Sequence, residues 1–198
     1  MHKNLLLIPA FALAATSAIA QSAPEHQDGP GPNMVIEVAA ADGTPRGTIT
    51  LDLLADKAPN HVARLVDLAK SGAYDGVVFH RVIDGFMAQT GDVEHGKMGG
   101  DLSRAGMGGS DKPDLPAEFS DVSFEAGTVG MARAQDPNSA NSQFFIDLAP
   151  APFLDGEYTV VGQIVDGWDV LNQIKKGDSA ANGSVSEPDY MSKVTIVE

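Results

Sequence analysis

The run Phe79-His80-Arg81-Val82-Ile83-Asp84-Gly85-Phe86-Met87-Ala88-Gln89-Thr90-Gly91-Asp92 sets a histidine, an arginine and a glutamine among apolar side chains. Arginine keeps its charge at any physiological pH and carries five N–H donors on a planar fork, so Arg81 could hold a carbonyl oxygen. Taken alone, an arginine on a strand reads as a solvated edge residue. His80 invites an acid/base role, but a buried, hydrogen-bonded histidine is the simpler reading. Asp92, Glu94 and His95 are metal-ligand types, yet they sit in a glycine-rich stretch with no second cluster, so no metal is expected. Gly106-Met107-Gly108-Gly109-Ser110 lacks the lysine of a phosphate-binding loop. No Ser/His/Asp or paired-carboxylate arrangement stands out. The absence of cysteine removes thiol catalysis, disulfides and Cys-ligated zinc together. No cofactor is expected.

Apolar side chains supply the second half of the chemistry. Phe86, Met87, Phe144 and Phe145 are core candidates by default. Successive residues of a strand point to opposite faces, so Phe144 and Phe145 cannot both enter one interior. An outward-facing aromatic of this kind usually marks a binding surface.

The elements that must position these groups are short. Met34 to Ala39 reads as a strand, followed by an Asp42-Gly43 turn, and Thr48 to Leu53 alternates as a half-buried strand does. Pro59 fits a first helical position, where its missing N–H costs nothing. Val62, Leu65, Val66 and Ala69 then form a helical stripe that ends at Gly72. Val77 to Ile83 and Phe86 to Thr90 read as strands on either side of Asp84-Gly85. Asp92 to Phe119, rich in glycine and proline, reads as a long loop, and a loop of that length is usually functional or mobile. Thr128 to Arg133, Gln143 to Leu148, Thr159 to Val165 and Lys193 to Val197 complete the strands. Asp166 is placed to cap a second helix carrying Val170, Leu171 and Ile174 and ending at Gly177, with Trp168 in the core. Many short strands with only two helices predict a mainly β domain, an antiparallel sheet closed into a barrel.

The N-terminus reads as an export signal. Lys3 precedes a mostly apolar run from Leu5 to Ala20, which ends in Ala18-Ile19-Ala20. The run is shorter than the roughly 20 apolar residues of a membrane span. Residues 1–20 are therefore expected to be a signal peptide cleaved after Ala20, residues 21–33 a flexible tether, and 34–198 one domain in the periplasm. Net charge is −14, and removing Lys3 leaves 12 basic against 27 acidic side chains, or −15. Such a surface repels phosphate backbones and anionic lipids, so neither nucleic acid nor, after cleavage, a membrane is an expected partner.

Three stretches in order carry a family resemblance. They are Phe79 to Asp92; Met131-Ala132-Arg133-Ala134 followed by Asn141-Ser142-Gln143-Phe144-Phe145-Ile146; and Phe153-Leu154-Asp155-Gly156-Glu157-Tyr158-Thr159-Val160-Val161-Gly162. Together they resemble the cyclophilins from about Met34 to the C-terminus. The resemblance implies a closed eight-stranded antiparallel barrel capped by two α-helices, acting as a peptidyl-prolyl cis/trans isomerase on proline-containing unfolded or exported polypeptides. It implies Arg81 as catalytic residue and Phe86, Met87, Phe145 and Leu154 around the proline ring; a monomer is expected. Gln89 and the backbone of Ala132, Arg133 and Ala134 would hold the peptide, and Gln143 would orient the neighbours of Arg81. Phe153, Arg133 and Tyr158 stand where the best-known eukaryotic members carry tryptophan, asparagine and histidine. Phe153 can pack on a substrate but has no N–H to donate, which implies weak cyclosporin binding. A non-catalytic peptide-binding module, or a holdase using the same groove, is the alternative. Intact Arg81, Phe86, Gln89 and Phe145 favour catalysis.

Overall fold

The computed structural model describes Pro24 and residues 26–198. The expected signal peptide and its cleavage site lie outside these residues. In chain order the elements are β1 (Asn33–Ala39), β2 (Pro45–Leu53), α1 (Pro59–Lys70), β3 (Val77–Val78), β4 (Arg81–Ile83), β5 (Met87–Thr90), β6 (Thr128–Met131), β7 (Phe144–Asp147), β8 (Val160–Asp166), α2 (Trp168–Gln173) and β9 (Tyr190–Val197).

The nine strands among the described residues belong to one antiparallel sheet in the order β3-β9-β1-β2-β8-β6-β7-β5-β4. This corrects the expected closed eight-stranded barrel: the hydrogen-bonded order is open, and it contains nine strands. The reason lies in the run 77–83, expected as one strand. Val77 and Val78 pair with Met191 and Tyr190 of β9, whereas Arg81 to Ile83 pair with Gln89 to Met87 of β5. Phe79 and His80 carry the chain from one end of the sheet to the other. The outer edge of β4 is covered by a loop instead of a strand. Val82 donates its N–H to Gly183 O, Gly177 donates to Val82 O, and Arg81 bridges Ser184.

The main core lies between the inner face of the curled sheet and the two helices. Met34, Ile36, Ile49, Leu51, Phe79, Phe144 and Ile146 meet Val62, Leu65, Leu68 and Ala69 of α1 and Val170 and Leu171 of α2. Helix α1 starts with Pro59 as expected, and Gly72 beyond its end takes a φ of 73°. Helix α2 departs from expectation. Gly167, at φ 84°, holds the cap position, and its N–H donates to Asp166 Oδ1. The helix closes at Gln173, so Ile174 packs from outside it, and Gly177 serves the β4 edge and not a helix end. Trp168 is buried in this core, as expected.

The stretch expected to be a tether is pinned where it is described. His26 Nε2 lies 2.9 Å from Ala126 O, Gly29 N–H donates to Asp52 Oδ2, Gln163 Nε2 donates to Gln27 O, and Leu53 N–H donates to Pro32 O. Composition signalled a lack of regular structure, but not the acceptors and donors that the sheet offers this segment.

The loop after β5 is organised around Asp92, whose buried carboxylate accepts N–H groups from Glu94, His95, Gly106 and Gly108. Burial works to raise this carboxyl, but the four donors outweigh it and hold it below the usual carboxylate range. Asp92 is thus a backbone anchor, and its loop returns against the outer face of β5 and β7.

Candidate active site

Register decides which side chains form the site. Gln89 of β5 sits opposite Phe145 of β7, and Met87 opposite Asp147, so these four share the face turned away from the main core. Phe144 and Ile146 point inward. Phe145 joins a second cluster with Met87, Phe124, Ala151, Leu154 and Val160, against which Phe86, Ala132 and Tyr158 pack. The alternation argument made from Phe144-Phe145 therefore holds. Gly130 makes room for this floor: a Cβ there would lie 2.5 Å from Phe145 Cζ and 2.7 Å from Phe124 Cε1. Those two rings stack at 5.8 Å, and Tyr158 meets Phe145 edge-on at 5.8 Å.

Above this floor is a cavity of about 480 Å³ lined by Arg81, Phe86, Met87, Gln89, Ala132, Arg133, Phe145, Phe153, Leu154, Glu157 and Tyr158. Ten of the residues singled out from the sequence are thus brought together. The other two, Ala134 and Gln143, line an adjoining cavity of about 510 Å³ that shares Gln89, Ala132 and Arg133. Its far wall is Gly106 to Ser110, with Asp114, Ser139 and Asn141. The floor is apolar and buried, while Phe153 stands at the rim, 67% exposed and 5.5 Å from Phe86.

Arg81 is not a solvated edge residue. Its Nη1 donates to Gln89 Oε1 at 3.1 Å and contacts Met87 Sδ at 3.8 Å. Gln89 Nε2 donates to Gln143 Oε1 at 2.9 Å, and Gln143 Nε2 donates to Gly108 O at 2.8 Å. Gln143 therefore orients the partner of Arg81 and ties it to the Asp92 loop. On its other edge the guanidinium is gripped by Asn182, through Nε to the carbonyl oxygen and Nη2 to the side-chain Oδ1. Sequence reasoning did not single out Asn182. The Asn182-Gly183 pair is a turn signal, but nothing in the order of residues places that turn beside Arg81.

The Arg133 side chain is a brace in the wall of the cavity that it lines. It donates to Glu157 O through Nε and Nη2 and to Ala134 O and Gln135 O through Nη1, and its Cζ lies 4.4 Å above the Tyr158 ring. The backbone of 132–134 is also partly committed, since Ala132 N–H donates to Gln143 O and Ala134 N–H to Ser139 Oγ. His80 is buried as expected, but neither ring nitrogen makes a hydrogen bond of good geometry. Burial lowers its pKa to about 4, leaving the ring neutral at neutral pH.

The sequence model of the "Cyclophilin type peptidyl-prolyl cis-trans isomerase/CLD" family matches residues 35–196. A probable peptidyl-prolyl cis-trans isomerase of Brucella suis is 52% identical over 189 residues, covering 94% of each chain. A peptidyl-prolyl cis-trans isomerase of Synechococcus elongatus is 42% identical over 137 residues, covering 68% of this chain and 87% of its own. Among solved structures, a cyclophilin-type isomerase of Cryptosporidium parvum, crystallised in the presence of the dipeptide Ala-Pro, superposes with a TM-score of 0.70 at 25% identity. It covers 84% of this chain and 99% of its own. By the family match over residues 35–196 and the identity to these relatives, this chain belongs to the cyclophilin-type peptidyl-prolyl cis-trans isomerases.

Proposed function

We propose that the chain accelerates rotation about X-Pro peptide bonds with Arg81 as its catalytic residue and the cavity over Phe145, Met87 and Leu154 as the seat of the proline ring. The observation that carries this reading is a guanidinium fixed at the rim of an apolar cavity by Gln89 and Asn182. Rotation must break amide resonance, at a cost of ~18–20 kcal/mol. The twisted amide is less polar than the planar one, so an apolar floor favours it. Its nitrogen gains a lone pair that only the twisted form offers to a donor. With four of the five N–H groups of Arg81 engaged, one on Nη2 is left for the substrate. Interactions that strengthen only in the twisted state raise the rate without a nucleophile or cofactor.

Arg81→Ala tests the assignment in a protease-coupled isomerisation assay. Loss of a preorganised charged donor lowers kcat by about 10²–10³, with the fold retained. Arg81→Lys is also poor, since a point charge has no fork. Wild-type turnover in folded Arg81→Ala protein would shift the reading to a non-catalytic peptide-binding module.

The same reading places the enzyme in the periplasm, acting on exported polypeptides. The support is the signal pattern that ends at Ala18-Ile19-Ala20. Mass spectrometry of the exported protein should find Gln21 first, and an intact Met1 in the membrane fraction would refute it.

A further inference from the structure

We propose that Asn182 is a positioning residue for isomerisation, gripping the Nε/Nη2 edge of Arg81 so that its remaining N–H is aimed at the substrate. The proposal rests on Arg81 being the catalytic residue.

The grip has two points. Arg81 Nε donates to Asn182 O at 3.0 Å, and Nη2 donates to Asn182 Oδ1 at 3.2 Å, across a separation of 101 residues. Gln89 holds Nη1 from the opposite edge. A planar fork anchored at Nη1, Nε and Nη2 cannot swing about its last side-chain torsions, whereas releasing Nη2 lets the fork pivot on the other two nitrogens and carries the remaining N–H out of line.

The grip is built into the backbone. Asn182 has φ 53°, a left-handed conformation that asparagine tolerates better than most side chains. Asp178 anchors the turn that imposes it: its carboxylate accepts the Ala180 N–H and its carbonyl accepts those of Ala181 and Gly183. Gly183 in turn accepts from Val82 N–H, one residue beyond Arg81. The turn packs closely on β4: a Cβ on Gly183 would lie 2.5 Å from Ile83 Cγ1. The loop that covers the β4 edge thus delivers the amide to the guanidinium.

The test uses variants that respect the left-handed backbone. Asn182→Gly removes Oδ1 while keeping both φ and the backbone carbonyl. Asn182→Asp keeps an acceptor at the same place. The readouts are kcat and KM on a chromogenic X-Pro peptide, the Arg81 Nε–H NMR signal, and the urea midpoint. Loss of one charge-assisted hydrogen bond predicts that Asn182→Gly lowers kcat by about five- to tenfold. KM and the urea midpoint should stay near wild type, with a broadened Arg81 signal. Asn182→Asp should restore kcat to within about twofold. Wild-type kcat or an unchanged Arg81 signal in Asn182→Gly overturns the proposal. So does a kcat loss that follows a lowered urea midpoint and is not rescued by aspartate, since that marks a merely structural turn. Arg81→Ala runs alongside: full activity there overturns the underlying assignment of Arg81, whereas an inactive Arg81→Ala with a fully active Asn182→Gly overturns the role of Asn182 alone.

Discussion

Asp147→Asn should make the protein more stable at neutral pH, by an amount that grows as the pH rises. Asp147 lies on β7 opposite Met87, on the face that carries the cavity. It is fully buried, and neither carboxylate oxygen has a hydrogen-bond partner. Burial alone raises its pKa to about 8. An unfolded aspartate releases its proton near pH ~3.9. Between those values the folded chain holds a proton that the unfolded chain has lost. The stability linked to that proton is fully present below pH ~4 and is lost as the pH rises towards 8. At ~1.4 kcal/mol per pH unit, at most about 4 kcal/mol is lost by pH 7. Asparagine has nearly the same shape and cannot ionise, so this slope disappears, although its amide is still unpaired. Asp147→Leu removes the polar group as well. Urea unfolding at pH 5, 6, 7 and 8, followed by the single tryptophan, Trp168, measures the difference. The stability gap between Asp147→Asn and wild type should widen by about 3 kcal/mol from pH 5 to 7.5. Parallel curves across that range would show that Asp147 is not held protonated and would refute the argument.

Arg133→Ala removes the donors that tie Glu157, Ala134 and Gln135 together and uncovers the Tyr158 ring. We expect peptide affinity to fall about three- to tenfold through loss of a cation–π contact and its hydrogen bonds, with kcat little changed. Calorimetric titration beside steady-state kinetics checks this, and a kcat loss at unchanged affinity would refute it. Because His80 is neutral across the working range, with a pKa near 4, kcat/KM for a peptide without ionisable side chains should be flat from about pH 6 to 9. An inflection near pH 6–7 that vanishes in His80→Gln would assign the histidine an acid/base role.

Short-range rules made the local elements legible in the residue order, and the resemblance of three stretches to the cyclophilins supplied the contents of the site. Pro59 and Gly72 bracket α1 as their backbone preferences require. The period of a strand separates Phe144 from Phe145, so one aromatic had to leave the core. Residue order in three stretches identified the family and ten side chains of one cavity. Tertiary structure decided whatever depends on partners far along the chain. The run 77–83 became two strands because its two halves meet different neighbours, β9 and β5, which no local pattern reveals. Nothing in the residue order shows that the Arg133 guanidinium meets Glu157 and Tyr158; their approach in the fold does. Asp147 is one polar residue at a strand end in the sequence, and its burial with both carboxylate oxygens unpartnered appears only in the folded chain. Asn182 reaches Arg81 across 101 residues, because covering an open sheet edge brought its turn there.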